Sequence, residues 1–142
     1  MIVTFCGHSH ISDPEKVQKD LEAAVHSVLS RGATRFYLGG YGDFDQLAAK
    51  VLYRLKRGHD EIDSVLVLPY LDKKVDLTLY TRTCYPPIEH VPRRFAIARR
   101  NRWMVDASDA VIAYVQHDWG GAYQTLSYAE HKGKTIILLG NS

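Results

Sequence analysis

Gly39, Gly40 and Gly42 surround Tyr41, and Asp43 and Asp45 follow at once. Glycines let backbone approach a ligand closely, and a helix starting at this point attracts an anion through its first amides. The run fits neither G-x-G-x-x-G nor G-x-x-x-x-G-K-[ST], which disfavours a dinucleotide fingerprint and a P-loop alike. Two carboxylates here oppose a bare polyphosphate and suit sugar hydroxyls. A second turn, Trp119-Gly120-Gly121-Ala122, opens a helix in the same manner. Its small residues clear space for a phosphate at the helix N-terminus, and Trp119 and Tyr123 can stack on a base. The bland alternatives are a tight turn capped by Asp43 and a glycine-rich turn beside core aromatics. Ligand contact ranks above both.

Arg99 and Arg102 are three apart on a predicted helix and share a face with reach for a phosphate or carboxylate. With Asn101 they form a candidate anion site, weighed evenly against a solvated helix face. Gly7, His8 and Ser9 follow an apolar run, and His8 is a candidate ligand contact. Cys6, His8 and His10 would share a face if that strand continued. The spacing matches no zinc motif, so no metal and no resident cofactor are expected. No nucleophile elbow is present, so a Ser-His-Asp hydrolase lacks its signature.

The elements that must position these residues alternate between strand and helix. Ile2 to Cys6 reads as a first strand. Asp13-Pro14 caps a helix carrying Val17, Leu21, Ala24, Val25, Val28 and Leu29, stopped by Gly32. A second strand, Arg35 to Leu38, precedes a helix from Asp43 to Gly58. Ser64 to Leu68 is a third strand, closed by Pro69. From about Leu71 to His90 the pattern is irregular and reads as a long excursion with room for a short helix. A third helix spans Pro92 to Asp106, a fourth strand Ala110 to Val115, a fourth helix Gly121 to Lys132 and a fifth strand Thr135 to Leu139. Alternation with near-continuous apolar strands predicts an α/β fold: a Rossmann-like three-layer sandwich with a five-stranded parallel sheet, order 3-2-1-4-5. Ligands of such sheets sit beyond the carboxyl ends of the strands, which singles out Gly7 to Ser9, Gly39 to Gly42, Pro69-Tyr70 and His117 to Ala122.

Residues 1–142 suit one domain, and no apolar run approaches the ~20 residues of a membrane span. Met1 to Gly7 lacks a basic leader, and two cysteines make no disulfide framework, so a reducing, cytoplasmic setting is expected. Net charge is +2 with histidine neutral, low for a dedicated duplex-DNA binder.

Four segments together resemble the SLOG superfamily, which includes the LOG, DprA and YpsA-like proteins. Gly39-Gly40-Tyr41-Gly42-Asp43-Phe44-Asp45-Gln46-Leu47-Ala48 is similar to its G-x-x-G-x-D-x-x-A segment. Arg100-Asn101-Arg102 resembles the R-N-R of DprA. Asp109-Ala110-Val111-Ile112-Ala113, followed by Gly120-Gly121-Ala122 and Tyr128-Ala129, resembles the s-D-a-v-i-a … G-G-T … y-A pattern. Cys6-Gly7-His8-Ser9 is similar to the T-G-H-R opening of YpsA-like chains, with Ser9 in place of the arginine. The resemblance covers nearly the whole chain. It implies a Rossmann-like fold, frequent dimers and nucleotide-type ligands, with cleavage of N-glycosidic bonds in some members. Ser127 falls where LOG enzymes carry a catalytic glutamate, and Thr125 where nucleoside deoxyribosyltransferases carry theirs; Glu130 lies a turn further along.

The leading expectation is therefore a sensor or carrier of a nucleotide, nucleotide sugar or ADP-ribose-like molecule. Helix starts at Gly42 and Gly121 would hold phosphate, Asp43 or Asp45 ribose, and Arg99, Asn101 or Arg102 would complete the anion site. The partner expected is a small molecule, within a homo-oligomer and off the membrane, with nucleic acid ranked well below it. An N-glycosidase using Asp43, Asp45, Asp118 or Glu130 is one alternative. Single-stranded nucleic-acid binding as in DprA is the other, weakened by the low net charge.

Overall fold

A computed structural model describes residues 1–140. Strand β1, Ile2–Gly7, sends Val3 and Phe5 into the core on one face and Cys6 into the core on the other. Helix α1, Pro14–Ser30, begins where the Asp13 carboxylate accepts from the Lys16 amide at 3.3 Å. Strand β2 is Arg35–Leu38, helix α2 Asp43–Leu55 and strand β3 Asp63–Val67. A short strand β4, Arg82–Cys84, and a 3-10 turn, Arg93–Phe95, precede helix α3, Ala96–Asp106. Strand β5, Ala110–Tyr114, helix α4, Gly120–His131, and strand β6, Thr135–Leu138, complete the order.

Three layers result. Helices α1 and α2 bury Leu21, Val25, Phe44 and Leu52 against Val3, Phe5 and Phe36 of the sheet. On the opposite face Val105 of α3 and Leu126 and Ala129 of α4 cover Val111 and Ala113, while Met104 covers Tyr37, Val65 and Val67. Strands buried on both faces are what a parallel sheet with helical crossovers requires.

The sheet has six strands in the order β4-β3-β2-β1-β5-β6, and every pairing is parallel. The expected five-stranded sheet of order 3-2-1-4-5 is thus corrected. The added strand is β4, inside the stretch expected to be irregular. Arg82 and Thr83 are polar and exposed and only Cys84 is half-buried, so no apolar run announces it. Tertiary pairing makes it: Val65, Leu66 and Val67 align with Arg82, Thr83 and Cys84, and the Arg82 guanidinium lies 2.9 Å from the Asp63 carboxylate of β3.

Two glycines are steric requirements of this layering. A methyl group on Gly7 would collide with the Phe44 ring, so glycine lets α2 lie against the end of β1. Gly42 has φ 90°, and a Cβ there would sit 2.7 Å from Ser9 Cα. No helix is long and apolar enough to cross a membrane, among the described residues.

Candidate functional site

The carboxyl ends of the central strands open on two hollows. The first, about 600 Å3, lies between the β1–α1 loop, α3 and the start of α4. The second, about 430 Å3, lies over the ends of β2 and β3 beneath the segment 68–80. Tyr41, Ile97 and Arg100 line both, so the two form one cleft along the sheet edge.

Arg100 is the pin of that cleft. It is 2 % exposed and occupies a position where α3 otherwise buries apolar residues, between Ala96 and Met104 at four-residue steps. Its Nη1 donates to Gly39 O at 3.0 Å and Val67 O at 2.9 Å, and its Nε donates to Asn101 Oδ1 at 2.9 Å. The ends of β2 and β3 are thereby clamped to α3. Burial lowers the guanidinium pKa while Asp45 and Tyr70 raise it, and a guanidinium stays charged throughout. Asp45 is the counter-charge. Burial pushes its carboxyl up to about 6, against the opposing pull of Arg100 and of the amides of Tyr41, Gly39 and Gly40. The backbone of the first glycine turn thus favours the charged form of Asp45.

The two helix starts differ in the same way. At α2 the Asp43 amide donates to Ser9 O at 2.9 Å and the Phe44 amide to His8 O at 3.4 Å, while the Asp43 carboxylate accepts from the Ile11 amide at 3.2 Å. The β1–α1 loop has taken that N-terminus. At α4 the N-cap is Trp119, no side chain caps the helix, and Gly120, Gly121 and Ala122 line the first hollow. Its first turn faces the space where a phosphate would be favoured.

A ladder of rings walls this hollow. His8 stacks on His117 at 3.9 Å between centroids, and His117 stacks on Trp119 at 3.9 Å. The base of the ladder is fixed: His8 Nε2 accepts from the Gln116 amide at 2.7 Å, which requires the neutral ring. Burial and then His117 lower the His8 pKa, in the same sense. The outer end is open, with Trp119 67 % exposed and Tyr41 71 % exposed on the ridge between hollows.

Of the residues singled out from sequence, Gly7, His8, Ser9, Tyr41, Asp45, Asn101, Trp119, Gly120, Gly121 and Ala122 line the first hollow. Gly39, Gly40 and Pro69 line the second. Four line neither hollow. Gly42 packs on Ser9, and Asp43 tethers the β1–α1 loop. Arg99 and Arg102 are exposed outside both hollows, and Arg102 lies over the Tyr128 ring at 5.2 Å. The helix face pointing at the cleft is that of Ile97, Arg100 and Asn101, rotated by about one residue from the face of Arg99 and Arg102. Arg100 was the missed residue, and its signal was a charge standing on the apolar stripe of α3. Among the four carboxylates considered for glycosidic cleavage, only Asp45 lines a hollow. Tyr80 and Lys73 of the second hollow fall within the excursion and were not singled out.

A parallel sheet with helices on both faces and a cleft at its carboxyl edge defines a Rossmann-like α/β protein. No family model matches the chain, and no curated protein matches it. Among solved structures it is similar to DNA processing protein A from Helicobacter pylori, with TM-score 0.69 and 15% identity over 100% of this chain and 66% of that one. It is also similar to DprA from Streptococcus pneumoniae, with TM-score 0.70 and 17% identity over 99% of this chain and 50% of that one. At these identities the likeness is one of fold, and the chain spans two thirds or less of those proteins. The Helicobacter protein is described for its single-stranded DNA binding mode. That finding corrects the expectation of a small-molecule partner with nucleic acid ranked well below it.

Proposed function

We propose that the cleft binds single-stranded nucleic acid, holding one nucleotide in the first hollow and its neighbours along the sheet edge. The observation that carries this is the open stack of His8, His117 and Trp119 at the uncapped start of α4. A base platform and a phosphate site then stand side by side, the pairing that single-strand binders use. The cleft continues past Tyr41 into the second hollow, which suits a polymer rather than one free nucleotide. The motif resemblance to the DprA branch of the SLOG superfamily and the DprA-like fold support the same reading.

Fluorescence anisotropy with a labelled thymidine dodecamer tests it. The oligomer binds more tightly than thymidine monophosphate, and Trp119→Ala weakens binding by about tenfold or more, the loss of a base–aromatic stack of ~1–3 kcal/mol. Trp119 is mostly solvent-exposed, so the variant folds. Equal affinity for monomer and oligomer, or an unaffected Trp119→Ala, overturns the proposal.

A further inference from the structure

We propose that the second hollow is a pocket for one nucleobase of the bound strand, hydrogen-bonded by the hydroxyl of Tyr80. The inference rests on the single-strand reading above and adds a subsite to it. Tyr80 lines the hollow, and its hydroxyl is closed off from solvent without a hydrogen-bond partner among the described residues. Buried polar groups are satisfied as a rule, so an orphan donor beside an open cavity points to an absent acceptor. The group is fit to donate. Burial, then Asp45 and Asp76, push its pKa up to about 12, so the proton stays on oxygen.

The rest of the hollow suits a flat apolar ring with polar edges. Leu66, Leu68, Pro69, Val75 and Leu79 supply apolar walls, and about 430 Å3 is within the range of small-molecule sites. Gly40 packs beside the hydroxyl: its φ is 71°, and a Cβ there would sit 2.5 Å from Leu66 Cδ1 and 3.4 Å from Tyr80 Oη. The segment that carries Tyr80 is held. Its amide donates to Leu77 O at 3.0 Å, and the Asp76 carboxylate accepts from the Thr78 amide at 2.9 Å and its hydroxyl at 2.6 Å. At the wall, Arg93 lies 4.0 Å from the centre of the Tyr70 ring but is paired with Asp72 at 2.9 Å, so Lys73, 5.4 Å from that ring, is the cation in the hollow's lining placed to meet a phosphate of the strand.

The test pairs Tyr80→Phe with two dodecamers, one of thymidine and one of difluorotoluene deoxynucleotide, which has thymine's shape without its carbonyl acceptors. The expected result is a loss of about fivefold for the thymidine strand and no change for the difluorotoluene strand, as for one hydrogen bond. The melting temperature of Tyr80→Phe stays level or rises, since an orphan hydroxyl has been removed. Equal losses on both strands, no loss on either, or a lowered melting temperature overturn the pocket while leaving the single-strand reading intact. Failure of the unmodified protein to bind either strand overturns both.

Discussion

Arg100 and Asp45 are neighbours of opposite charge at the floor of the cleft. Removing the guanidinium strips Gly39 O and Val67 O of their donor and leaves Asp45 without the Arg100 charge. Arg100→Met is expected to destabilise the fold by about 2–3 kcal/mol, measured as urea unfolding at neutral pH. A loss below ~1 kcal/mol would mean the clamp is not structural. Asp45 has a pH signature of its own. Its folded pKa of about 6 lies above the ordinary 3.8, so the folded chain binds this proton more tightly than the unfolded chain. Its contribution to stability is full below pH 3.8 and is lost as pH rises to about 6. The stability of the natural chain relative to Asp45→Asn should therefore fall across that window and level off above it. Parallel stability curves for the two chains would contradict the raised pKa.

The helices α2 and α4 leave the sheet edge in the same direction with opposite fates. The first has its leading amides taken by Ser9 and His8, and the second starts uncapped on two glycines. A carboxylate in the first turn of α4 would complement the helix dipole, and replacing a helical glycine adds to that gain. A side chain at Gly121 meets no atom within 4 Å. Gly121→Glu is thus expected to stabilise the protein by about 1 kcal/mol and to weaken oligonucleotide binding at least tenfold. Thermal melting and anisotropy on one sample check the opposite signs. A variant that binds as well as the natural chain would remove α4 from the proposed site.

Across the whole molecule the net charge is only +2, and the most buried cation of the cleft is matched by Asp45. Binding should then draw on stacking and a few phosphate contacts rather than on a broad field. The logarithm of affinity against the logarithm of salt concentration is expected to have a slope of about −2, for roughly three phosphates at −0.7 each. Titrations across a series of salt concentrations check this, and a slope steeper than about −4 would call for a basic surface outside the cleft.

Much of the architecture could be read from pattern. Apolar runs marked β1, β2, β3, β5 and β6, helical spacing marked α1 to α4, and the rule for open α/β sheets marked the edge on which the two hollows open. These are local properties, carried by each segment's own periodicity. β4 was illegible because its residues become a strand only through pairing with β3. The orientation of α3 was decided by packing too: Arg99 and Arg102, one and two residues away, lie on other faces of the helix and are left in solvent, while Arg100 is drawn between the ends of β2 and β3. Nor could sequence tell that the β1–α1 loop would claim the first amides of α2, or that His8, His117 and Trp119 would stack. Those facts depend on contacts between residues up to about a hundred positions apart, and such contacts exist only once the layers have closed.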